Sequence, residues 1–149
     1  MTGWSWLRVG AAFGFLAVGL GAFGAHGLKA RLEGLGTSAT FQTAAQYHLY
    51  HALALLAVGL IFREARATAA GDVAGWAFVI GVFLFSGSLY VLSVTGMKWL
   101  GAITPLGGVA LLIGWVALAI AAGSLGASGE PRRIADPVSH TTRPVEDSH

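Results

Sequence analysis

The sequence has no cysteine, which excludes disulfides, thiolate metal sites and a cysteine nucleophile. Charge is scarce too: 11% of the 149 residues are Asp, Glu, Lys or Arg, and the formal net charge is +2. With no basic stripe interleaved with aromatics, such a chain carries no electrostatic footprint for nucleic acid. A Gly-rich phosphate loop of the P-loop pattern and a Gly-x-Ser-x-Gly nucleophile elbow are also missing. What the chain has in excess is apolar residues, 55% of it, with a mean hydropathy of +0.69. A soluble domain of this size would lack the polar side chains to cover its surface, so lipid is the natural solvent for the apolar runs.

Four runs are long enough to span a bilayer: about 9–25, 43–62, 73–95 and 99–125. They show none of the strict alternation of barrel strands. The expected fold is therefore all-α, a polytopic membrane protein whose compact bundle of about four transmembrane helices occupies residues 1–125. Residues 126–149 change composition abruptly, with Pro131, Pro137 and Pro144 among mixed charges, and are expected to form a disordered soluble tail. Its histidines, His140 and His149, are isolated and read as solvated. The amino-terminal run with Ala22-Phe23-Gly24 resembles a secretory signal, but it exceeds the ~7–15 residue apolar core of one and is read as a retained span. In the first loop, Leu28, Leu32 and Leu35 at helical spacing among Lys29, Arg31 and Glu33 suit a short interfacial helix.

Orientation follows from Lys and Arg. Arg8, Arg63, Arg66, Arg132, Arg133 and Arg143 fall on one side, and Lys29, Arg31 and Lys98 on the other. Positive residues favour the cytoplasmic face, so both termini are expected inside.

Helices associate in lipid where small residues let backbones approach. Gly10, Gly14, Ala17, Gly21 and Gly24 make one such face on the first span, and Gly107, Ala110, Gly114, Ala117 and Ala121 another on the fourth. The expected packing residues are thus Gly10, Gly14, Gly21, Gly107 and Gly114, in seams within one chain or between subunits. Ala45, Ala52 and Gly59 form a line on the second span, and Ala74, Ala77, Gly81 and Ser88 one on the third.

Chemistry has few candidates. No Asp or Glu lies inside the four runs, which removes the usual coupling carboxylate of ion-driven transport. Ser86 and Ser88 have no partner base in sequence and read as helix-packing hydroxyls. Pro105 is either a first-turn proline of the fourth helix or a kink. The remaining constellation is histidine. His48 and His51, three apart, share a helix face, and His26 is expected at the same membrane surface. Imidazoles gathered at one depth suit zinc, copper or haem, or pH sensing, but without acidic or thiolate companions they read better as hydrogen-bonding groups between helices. No catalytic residue, cofactor or metal is assigned, and His26, His48 and His51 are retained only as a candidate polar cluster.

The segments Gly21-Ala22-Phe23-Gly24-Ala25-His26-Gly27, Tyr47-His48-Leu49-Tyr50-His51-Ala52-Leu53-Ala54-Leu55-Leu56, Phe85-Ser86-Gly87-Ser88-Leu89-Tyr90 and Leu100-Gly101-Ala102-Ile103-Thr104-Pro105-Leu106-Gly107-Gly108 resemble the bacterial domain-of-unknown-function 423 proteins. That family is also called uncharacterised protein family 0382 and includes the animal transmembrane protein 256. The resemblance covers roughly residues 8–122 and implies a compact multi-helix membrane protein, but no activity; the expected location is the bacterial inner membrane. The expected role is a non-enzymatic structural or accessory membrane component, whose partners are the lipid bilayer and itself or a larger membrane protein. A small channel or carrier and a histidine-based metal or haem protein are the alternatives.

Overall fold

The structure, a computed structural model, describes residues 1–63 and 69–127. Arg66 and the tail beyond Ala127, with its arginines and with His140 and His149, lie outside the described residues. The chain folds as α1 (Gly3–Ala25), α2 (Lys29–Leu35), α3 (Ser38–Ile61), α4 (Ala69–Val82), a π-helical turn (Phe83–Gly87), α5 (Ser88–Thr95), a 3-10 turn (Lys98–Ala102) and α6 (Thr104–Ala127). The π turn joins α4 and α5 into one continuous helical run, Ala69–Thr95. Among the described residues, that run, α1, α3 and Lys98–Ser124 are four helices long and apolar enough to cross a membrane. At about 1.5 Å per residue each exceeds the ~30 Å hydrocarbon thickness.

Helix ends depart from the edges of the apolar runs for local reasons. The Thr2 hydroxyl caps α1 by accepting from the Ser5 N–H at 3.2 Å, so Trp4, Trp6 and Arg8 all sit within the helix. α2 occupies the first loop, with Leu32 buried, and stops at Gly36, whose φ of 65° is left-handed. α4 begins at Ala69, earlier than the apolar run, and so takes in Asp72. The expectation that no acidic residue lies in a span is corrected to this extent: Asp72 stands in the first turn of the third spanning helix, where an N-terminal carboxylate suits the helix dipole. It accepts hydrogen bonds from Trp6 Nε1 at 3.1 Å and from the Met1 ammonium at 2.7 Å. Pro105 is the second residue of α6, within the first turn, where its missing N–H leaves no helical bond unmade.

The spans pack as two antiparallel pairs, α1 with α3 and α4–α5 with α6, and α3 also lies against α4 and α5. Trp6, Leu55, Val58, Phe62, Phe78, Val82, Leu111 and Leu118 fill the core between them. Within each pair the contact is made by glycines. A Cβ at Gly10 would lie 2.8 Å from the Leu56 backbone N, and one at Gly59 2.7 Å from the Leu7 backbone N. In the second pair, Gly114 faces the Phe78 ring, Gly81 faces Leu111, and Gly107 lies against the backbone of Phe85 in the π turn. The seam expected on α1 divides. Gly10, Ala17 and Gly24 are buried, whereas a Cβ at Gly14 or Gly21 would meet nothing within 4 Å.

This division is testable by thermal unfolding in mild detergent. Gly10→Leu, Gly107→Leu and Gly114→Leu should each destabilise by about 1–3 kcal/mol or more through overpacking. Gly14→Leu should stay within about 0.5 kcal/mol of the parent, as a substitution into open space does. Equal losses at Gly10 and Gly14 would contradict this packing.

Candidate functional site

Hydrocarbon offers no partner to a polar side chain, so each polar group buried in a spanning bundle must be satisfied inside it or stand out as an anomaly. The described residues contain a layer of such groups. On α3, His48 and His51 are both buried, at 6% and 5% exposure. Their three-residue spacing puts them on one side of the helix but sends them to different neighbours.

His51 is held at both nitrogens. Trp115 Nε1 on α6 lies 3.2 Å from His51 Nε2, and the Tyr47 carbonyl lies 2.7 Å from His51 Nδ1. An indole nitrogen only donates, so Nε2 accepts. The proton therefore sits on Nδ1, donating to Tyr47 O, and the network assigns His51 as the neutral Nδ1–H tautomer. Both positions at which a metal would bind are occupied. The ring also packs against Phe78 and lies nearly parallel to Tyr47, at 5.6 and 6.0 Å between centroids.

His48 faces the other way, toward α1 and α5. Its Nδ1 is 3.5 Å from the Tyr90 hydroxyl, at the limit of a hydrogen bond, and the edge of Phe13 meets the ring at a 5.5 Å centroid distance. A crevice of about 170 Å³ runs past it, lined by Phe13, Leu16, Phe83, Ser86 and Tyr90 among others. Ser86 is fully buried, and its hydroxyl is the buried side-chain polar atom that finds no hydrogen-bond partner among the described residues. Its neighbour Ser88 is well satisfied, donating to Phe85 O at 3.0 Å and lying 3.0 Å from the Thr104 hydroxyl on α6.

His26 does not join these two. It is exposed at the C-cap of α1, where its backbone N–H bonds Ala22 O. Gly24 packs on Phe41, so His48, seven residues further along α3, lies about 10 Å deeper by helical rise. The expected gathering of three imidazoles at one depth is thus corrected. No group of three or more His, Cys, Asp or Glu that could hold a metal ion occurs among the described residues.

Two features were missed by reading the sequence. Trp115 passed as one more apolar residue of the fourth run, although its N–H required a partner inside the bundle. The π turn was read as unbroken helix, although Ser86-Gly87-Ser88 is a triplet of poor helix formers within an apolar run.

Four apolar spanning helices, cross-linked by buried polar side chains, define a multi-pass α-helical membrane protein. The chain belongs to the family described as Protein of unknown function (DUF423), whose model matches residues 20–108. It is 48% identical over 114 residues to the UPF0382 membrane protein YwdK of Bacillus subtilis, covering 76% of this chain and 92% of that relative. It is 46% identical over 113 residues to a UPF0382 membrane protein of Staphylococcus epidermidis and 45% identical over 113 residues to one of Staphylococcus aureus, covering 76% of this chain and 90% of the relative in both cases. No solved structure matches.

The His51 bridge should behave as a coupling between α3 and α6. In a double-mutant cycle of His51→Leu and Trp115→Phe, read by unfolding in detergent, the coupling energy is expected at about 0.6–1.7 kcal/mol. Additive single losses would show that the two side chains do not share a bond.

Proposed function

We propose that this chain is a non-enzymatic structural or accessory component of the bacterial inner membrane, with both termini on the cytoplasmic side. The observation that carries the reading is that most of its interior polar side chains, Ser86 excepted, are engaged by neighbouring helices. His51 bridges α3 to α6 with both ring nitrogens, Ser88 meets Thr104, and the Thr37 hydroxyl donates to Ser93 O at 2.7 Å. Side chains held this way lock helices together and are poor proton relays or ion ligands. Meanwhile α1 and α6 present apolar side chains outward, among them Phe15, Val18, Phe23, Leu112, Val116 and Ile120, so contact with lipid, a second copy or a larger membrane protein is the surface the molecule offers.

The orientation rests on the excess of arginines beside the termini and the middle loop. Of the three basic residues opposite them, Arg31 donates through Nε to Val94 O at 3.0 Å. It thereby serves the carbonyl end of α5, where a cation is stabilising whichever leaflet it faces.

Reporter fusions after Arg66 and in the tail should read as cytoplasmic, and those after Arg31 and Lys98 as external; the reverse pattern would overturn the orientation. For the role itself, tag-free protein purified in mild detergent should carry a protein partner or self-assemble, without stoichiometric metal or haem. One metal or haem per chain, lost in a His48→Ala and His51→Ala double variant, would replace the accessory role with a redox or metal-binding one.

A further inference from the structure

A cavity with polar as well as apolar walls lies away from His48 and His51, at the end of the bundle between α1, α2 and α3. It measures about 410 Å³, within the roughly 300–1,000 Å³ typical of ligand clefts. We propose that it holds one glycerophospholipid whose headgroup carries a primary ammonium beside its phosphate. This goes beyond the accessory role and holds in either membrane orientation.

The walls change character with depth in the order that such a lipid does. At the rim, α2 contributes Lys29 and Glu33, whose charged atoms are 4.0 Å apart while their side chains remain 67% and 61% exposed. So loose a pair leaves ammonium protons free to meet a phosphate and carboxylate lone pairs free to meet an ammonium. Below the rim, Ser38, Gln42 and Gln46 line the cleft on successive turns of α3. The two glutamines therefore lie about 6 and 12 Å along the helix from its start, where the ester carbonyls of a lipid pass into its chains. Both are exposed, and neither side chain makes a hydrogen bond among the described residues. An amide facing hydrocarbon unpaired is costly, and ester oxygens at that depth are acceptors for its N–H groups. The floor is Gly21, where a Cβ would meet nothing within 4 Å, and Gly14, equally open, continues the same face of α1 two turns deeper. That open face is a furrow in which an acyl chain can lie.

The test is native mass spectrometry of the full chain in mild detergent with phosphatidylethanolamine, phosphatidylcholine or phosphatidylglycerol added separately. One phosphatidylethanolamine should be retained per chain, about threefold more than either of the others, as fits a single partly exposed charge pair. Glu33→Gln should retain lipid but lose the preference. Gly21→Leu, placed where a side chain has room, should keep the parent unfolding temperature and lose the lipid; Gln46→Leu, on the opposite wall, gives the same reading should that variant unfold. Equal retention of the three lipids by the parent, a preference that survives Glu33→Gln, or parent-like retention in Gly21→Leu and Gln46→Leu would each overturn the proposal. A change of oligomeric state in Gly21→Leu with lipid retention unaltered would overturn it in favour of a second copy of the chain.

Discussion

Close approach of backbones at glycine is the contact on which the bundle depends, because hydrocarbon solvates a leucine as well as a neighbouring helix does and gives helices little other reason to associate. The approaches are reciprocal. α1 offers Gly10 to Leu56, and α3 answers with Gly59 against Leu7; α4 offers Gly81 to Leu111, and α6 answers with Gly114 against Phe78. Each helix thus supplies both a hole and the side chain that fills its partner's hole. Gly107 goes further, since it rests on the backbone of Phe85 inside the π turn. The widened turn and the glycine lie at the same contact, and just beyond it the Ser88 hydroxyl reaches Thr104.

Backbone satisfaction is the second constraint, and it explains the ends of the helices. α5 stops at Gly96, whose left-handed φ of 76° lets its N–H turn back to Leu92 O at 2.8 Å. The next orphan carbonyls belong to Ser93 and Val94, and residues from the other helix pair take them, Thr37 at the start of α3 and Arg31 on α2. The short α2 is therefore more than a connector, because it closes the end of a spanning helix that is remote in sequence. At the opposite end of the bundle, Asp72 and Trp6 tie the start of α4 to the start of α1, with Arg63 lying over the Trp4 ring at 5.5 Å.

The spans were legible because hydropathy records the solvent directly: runs of 17 to 27 residues without charge have few destinations other than lipid or a deep core. Their partners were less legible. On α1, Gly10, Gly14, Ala17, Gly21 and Gly24 alternate at four and three residues, a spacing that keeps all five within one broad face. Which edge of that face meets α3 depends on where Leu56 and Phe41 stand, and no local pattern encodes this. The histidines show the same limit. Spacing placed His48 and His51 on one side of α3, yet their neighbours, Tyr90 and Trp115, come from different helices, and the depth of His26 depends on how α2 folds the loop. Asp72 escaped the span boundaries because a helix continues past its apolar run whenever its first turn can be capped and paired.

α1 is held more narrowly than any other span. Its buried residues are Gly3, Trp6, Gly10, Ala17 and Gly24, a stripe made almost wholly of residues with no side chain or a single methyl. Trp6 is its one large fully buried side chain, packing into the space above Gly75 of α4, with Leu7, Val9 and Phe13 partly buried beside it. A helix docked through glycine gains close van der Waals contact and weak backbone interactions, but it buries little side-chain surface. A broad part of its circumference, with Phe15, Leu16, Val18 and Phe23, faces outward. It follows that whatever lies against α1 in the membrane, lipid or protein, contributes a large share of the surroundings that hold this helix in place. The glycines left open on it at Gly14 and Gly21 are where that neighbour can come nearest to the backbone.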